Sequence, residues 1–203
     1  MSEKTVTNGK MGRPRGFDED AALEAAMQVF WAESYEGATM EDLTRAMGIN
    51  RTSMYATFGD KEALYKLVLR RYREGPMRYI RAALAQPTLR KVIEDLVNGT
   101  VEFLATPGNP KGCLSLQGAM ACGTDAQPIH RAMIEWRTGG EEVIRKRLQQ
   151  AQRKGELVAS IDTADYARYL STIMSGLGVQ AVNGATKSEM KRIARIALRL
   201  MGY

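Results

Sequence analysis

Residues 39–61 read TMEDLTRAMGINRTSMYATFGDK, and the reading of the whole fold turns on how this stretch is parsed. Met40, Leu43 and Met47 recur at helical spacing, Thr39-Met40-Glu41-Asp42 has the form of a capping box, and Gly48 supplies a stop. Asn50 can cap the next helix, which reaches Phe58 with Met54 and Phe58 turned inward and Arg51, Thr52, Ser53 and Thr57 outside. Two short helices joined at Gly48-Ile49-Asn50 have the layout in which the second enters the major groove of duplex DNA. On this reading Arg51 reaches a guanine edge or a phosphate, and Thr52 and Ser53 offer hydroxyls to bases or backbone. Tyr55 and Thr57 add hydroxyls one turn on, while Lys61 and Thr39 stand at helix starts, where phosphates are favoured. Such residues also cover ordinary solvated helix faces, so they need the surrounding pattern to carry weight.

Working outward, residues 1–16 hold Lys4, Lys10, Arg13 and Arg15 among small and polar residues and read as a flexible basic arm. Phe17-Asp18 opens a helix over about 18–33, with Ala22, Ala26, Val29 and Phe30 on one face. Asp60 caps a fourth helix, expected from about 60 to 84, whose stripe is Leu64, Leu67 and Val68. Leu89, Ile93, Leu96, Val97, Thr100 and Leu104 mark a fifth, closed by the loop 106–110. A small-residue-rich segment follows from Gly112, then a helix from Pro128 to Lys154-Gly155, and two last helices over about 163–183 and 188–201. Strand alternation and internal repeats are absent from the pattern. The fold class expected is all-α, with a three-helix helix-turn-helix domain over 17–62 and a larger helical domain over 63–203.

Composition narrows the function classes. With 44% hydrophobic and 26% charged residues the chain can bury a core, and no apolar run approaches the roughly 18 residues of a membrane span. The polar, basic start reads as no signal peptide, which implies a cytoplasmic address. Two cysteines, Cys113 and Cys122, with no C-x-x-C pair, and a single histidine, His130, argue against a disulfide framework, a metal site or a cofactor. The net charge of +6 is no argument for DNA: residues 1–75 hold 11 Lys/Arg against 12 Asp/Glu, so the excess lies in the C-terminal part.

The block from Gly12 to Tyr72 resembles the TetR/AcrR family of bacterial regulators. The resemblance rests on the basic arm before Phe17, on Leu43-x-x-Ala46-x-Gly48-Ile49, and on Ser53-x-Tyr55-x-x-Phe58-x-x-Lys61-x-x-Leu64. Thr57 departs from the family, in which histidine is common there. The resemblance implies a homodimer that binds a pseudo-palindromic double-stranded DNA operator, usually as a repressor, and is released by a small-molecule inducer. It makes Thr39, Arg51, Thr52, Ser53, Tyr55, Thr57 and Lys61 the DNA contacts, with Arg13 and Arg15 reaching the minor groove.

A TetR-like body holds its inducer among the middle helices, which makes Leu96, Thr100, Phe103, Leu104, Cys113, Leu116, Met120, Met133, Trp136 and Met174 the expected lining, suited to an apolar or aromatic molecule. Each also serves as plain core. Cys113 follows Lys111-Gly112 at a helix start, where its thiol could be activated for sensing, or could simply be a small packed side chain. The last two helices are the expected dimer face, through Leu170, Met174, Leu177, Gly178, Ala181, Ile193, Ala197 and Leu200. Two other classes stay open: a helical thiol enzyme using Cys113 with His130 as base, and a DNA-binding protein that answers to no ligand. The reading preferred is a regulator, not an enzyme.

Overall fold

The computed structural model of the chain describes residues 16–117 and 127–203, and every regular element among them is a helix. Arg13, Arg15, Met120 and Cys122 lie outside the described residues. Asp18 opens α1 (Glu19–Gly37) by accepting the backbone N–H groups of Asp20 and Ala21, donors that a helix start leaves without partners. Ala22, Ala26, Met27, Phe30 and Trp31 form its buried side. The capping box of α2 (Met40–Met47) is formed in both directions between Thr39 and Asp42, and Gly48 ends the helix at φ 66°, a conformation costly for a residue with a Cβ. Asn50 caps α3 (Arg51–Phe58) by accepting the Ser53 N–H at 2.8 Å. Leu43, Met47, Met54 and Phe58 are buried, so the helix-turn-helix closes over its own apolar residues and turns its polar ones out.

The helix expected over 60–84 is two helices. Asp60 caps α4 (Lys61–Glu74), and Pro76, which has no N–H and disfavours helical geometry in the residue before it, takes the chain out of the helix at Gly75 (φ −95°, ψ −97°). The backbone re-enters as α5 (Arg78–Leu84). The central helix α6 (Leu89–Leu104) packs on α5 and on the last two helices, α9 (Thr163–Val182) and α10 (Lys187–Leu200), while the short α7 (Leu114–Gln117) lies against α1, and the long α8 (Gln127–Arg153) against α9. One continuous buried cluster runs from Phe30 and Trp31 through Tyr65 and Tyr72 to Phe103 and Leu170. The N-terminal helices are therefore not a bead on a linker: α1 and α4 share their core with the larger part.

Candidate functional site

Two surfaces answer to the sequence expectations, an exposed face on α3 and a cavity among α5 to α9. On α3, Arg51, Thr52 and Tyr55 are exposed and Ser53 and Thr57 partly so, because Met54 and Phe58 occupy the buried side of an eight-residue helix. Arg51 forms no ion pair among the described residues, whereas Arg45 on α2 is held by Glu41 and Asp42. Thr39 is exposed, but its hydroxyl is engaged by Asp42 in the capping box. Lys61 is half-buried with its ammonium 4.7 Å from the centre of the Tyr35 ring, and burial lowers its pKa. A cation so placed is a fixed point beside the α4 N-terminus.

The cavity has a volume of about 460 Å³, within the usual range of small-molecule sites, roughly 300–1,000 Å³. Of the expected lining, Thr100, Phe103, Leu104, Cys113, Leu116, Trp136 and Met174 do border it. Leu96 and Met133 do not: both are fully buried in the common core, and the Met133 sulfur takes the Tyr65 hydroxyl at 3.6 Å. Sequence reasoning missed Met77 at the cap of α5, Tyr79 and Ile80 within it, Arg137 and Glu141 of α8, and, apart from Met174, the Ser171–Val179 side of α9. One signal was present. Gly99 stands inside an apolar-faced helix, a place that glycine weakens unless something must come close. A Cβ there would lie 2.6 Å from Tyr79 Cδ2. Tyr79 cannot easily yield, since its ring stacks on Phe103 at 5.6 Å and its hydroxyl is bonded to Thr100 Oγ1 at 3.1 Å. Gly99→Ala is therefore expected to lower stability by about 1–3 kcal/mol in chemical denaturation, although alanine is the better helix former. A stability gain would contradict this packing.

The cavity wall is bonded to the helices that carry the α2–α3 pair. Trp31 of α1 donates its indole N–H to the Gly112 carbonyl at 3.3 Å and stacks on Phe103 at 5.6 Å. The Tyr72 hydroxyl of α4 accepts the Leu114 N–H at 3.2 Å and lies 3.2 Å from Cys113 Sγ, which is in turn 2.9 Å from the Ser115 hydroxyl. Burial pushes the Tyr72 hydroxyl well above its ordinary pKa, so it stays a neutral donor. Among the described residues no group of three or more His, Cys, Asp or Glu side chains could hold a metal, and no helix is long and apolar enough to cross a membrane.

Comparison with known proteins decides the family. Residues 22–68 match the model of the bacterial regulatory proteins of the tetR family, and residues 87–197, more than half of the chain, match a tetracyclin repressor-like C-terminal domain. The chain belongs to the TetR family. It is 29% identical over 191 residues to the HTH-type transcriptional repressor ComR of Escherichia coli, covering 93% of this chain and 91% of that one. A regulator of Bacillus subtilis, YezE, is 29% identical over 163 residues, covering 79% and 84%. Among solved structures, a cysteine mutant of the TetR family regulator CifR, complexed with a 26-base-pair double-strand operator DNA, superposes with a TM-score of 0.89 at 34% identity, covering 93% of this chain and 98% of that one. The chain is thus a DNA-binding transcriptional regulator of TetR type.

Within this TetR-type body the expected dimer residues divide. Leu170, Leu177, Ala181 and Ala197 are buried inside the chain itself, because the most apolar stripes of α9 and α10 turn toward the chain's own core. Gly178 is also buried, and its missing Cβ makes room for Leu116 and Cys113 of the same chain rather than for a second copy. Met174 borders the cavity. Only Ile193 and Leu200 of the set are exposed, and they are joined among the exposed apolar residues of the two helices by Val182, Ile196 and Val179, the last of which also borders the cavity.

Proposed function

We propose that the protein is a repressor that grips a pseudo-palindromic DNA operator in the cytoplasm as a homodimer and lets go when an apolar or aromatic molecule enters the cavity. The single observation that carries the reading is the shared seam just described: Phe103 and Cys113 border the cavity and also touch Trp31 and Tyr72, on α1 and α4. A molecule that moves Phe103 or the 112–115 segment must move the seats of the two helices that hold α2 and α3. Two recognition helices then lose the spacing of about 34 Å that successive major grooves require.

Arg51, Thr52, Ser53, Tyr55 and Thr57 would read or follow the duplex, with Thr39 and Lys61 against phosphates. The exposed Val179, Val182, Ile193, Ile196 and Leu200 support pairing of two copies through α9 and α10, because side chains this apolar gain most by leaving water together. ComR, named as a repressor, and CifR with operator DNA point the same way. The test is a gel-shift titration on duplexes drawn from the region beside the protein's own gene, with light scattering of the free and bound protein. Saturable, sequence-selective binding by two copies is expected; a persistent single copy, or equal affinity for all duplexes, would overturn the proposal.

A further inference from the structure

The polar groups on the cavity wall have a one-sided character. Tyr79 gives its proton to Thr100, since the Thr100 hydroxyl itself donates to the Leu96 carbonyl at 2.8 Å. Thr172 donates to the Arg168 carbonyl at 2.8 Å. Glu141, the one carboxylate among the described wall residues, is answered by Arg168 at 4.0 Å. What is left over is donors. Arg137 spends one guanidinium N–H on the Ser115 carbonyl at 3.1 Å, and among the described residues it has no ion pair and no partner for its remaining N–H groups. Ser171 and Ser175 border the cavity with hydroxyls that no described residue engages. These groups share one place: α8 and α9 pack as a hairpin with Glu141 beside Arg168, so one turn back along α8 Arg137 comes level with Thr172, between the two serines.

Around that spot the walls are hydrocarbon and aromatic, from Met77, Ile80, Phe103, Leu104, Trp136 and Ile144. A half-buried cation with no counter-charge among the described residues is a standing cost, removed by an anion of single charge that can accept a forked pair of N–H bonds. Resting on the reading of this cavity as the effector site, we infer that its ligand is a monocarboxylate with an apolar or aromatic body, its head group held by Arg137. A phosphate would bring a second charge that no further cation among the described wall residues answers, and an uncharged ligand would leave Arg137 as it is.

The experiment uses the full-length protein and isothermal titration calorimetry with two probe acids, phenylbutyrate and octanoate, each beside its primary amide. At least one acid is expected to bind tenfold or more tightly than its amide, with Arg137→Gln removing that preference while leaving amide binding unchanged, and Arg137→Lys keeping part of it. Equal binding of acid and amide, a preference that survives Arg137→Gln, or no saturable binding of either acid would overturn the inference. Operator affinity of the same ligand-free preparations separates the two layers: loss of operator binding sinks the regulatory reading, whereas intact operator binding with indifferent acids sinks only the carboxylate.

Discussion

Replacing Arg51 by alanine is expected to weaken operator binding by roughly ten- to a hundredfold, the loss of about 1–3 kcal/mol that a single base-reading contact carries. The effect should be confined to binding. Arg51 is exposed, contributes no ion pair among the described residues and sits at the first position of α3, whose cap is supplied by the Asn50 side chain. Alanine is at least as good a helix former, so the thermal midpoint should move by no more than a surface substitution does. Arg45→Ala provides the contrast. That side chain is as exposed but is committed to Glu41 and Asp42, and removing it should change affinity little. Gel-shift titrations of both variants at one fixed salt concentration check the pair, and an Arg51→Ala protein with unchanged affinity would remove α3 from the interface.

The reason this surface was legible in the sequence is that its determinants are local. Asp18, Thr39, Asn50 and Asp60 each cap the helix that follows within three residues, and Gly48 supplies a left-handed turn that few other residues tolerate. Met54 and Phe58, four apart, decide which side of α3 faces in. None of this needs knowledge of distant residues. The cavity is different in kind. Leu96 and Phe103 lie on the same apolar helix, and only the placement of the surrounding helices decides that the second borders space while the first is sealed in core. The same holds on α9, where the stripe that periodicity selects as an interface is claimed by the chain's own core, and the weaker outer stripe of Val179 and Val182 is left in solvent. Glycine inside a helix carries a local cost that hints at tertiary contact, but only the folded chain separates Gly99 and Gly178, which have a neighbouring side chain where a Cβ would stand, from Gly139, Gly140 and Gly176, which face open space.

The largest effect on stability is expected at Trp31, and it bears on how the two parts of the molecule communicate. Its indole is 1% exposed, lies edge-to-face with Tyr72 at 5.0 Å, stacks on Phe103 at 5.6 Å and donates to the Gly112 carbonyl. Trp31→Ala should cost about 3–5 kcal/mol, from lost burial and a cavity lined by rings that cannot collapse onto one another. Trp31→Phe keeps much of the apolar contact but removes the indole donor, leaving the Gly112 carbonyl short of a partner at a further cost of about 1–3 kcal/mol. Tyr72→Phe likewise removes the hydroxyl that holds Leu114 N–H and Cys113 without opening much space. If the seam only adds stability, all three variants will lose denaturant resistance in proportion to volume and bonds removed, and amide exchange will rise evenly across α1, α4 and residues 112–116. If the seam couples the cavity to the DNA-binding helices, the two phenylalanine variants will show exchange that rises first in residues 112–116, and a ligand in the cavity will loosen their grip on the operator less than it loosens that of the unaltered protein. The second pattern is the expected one, because the bonds they delete join the 112–115 segment to α1 and α4, whereas α2 packs on α1 and α3 on α2 and α4 through other residues.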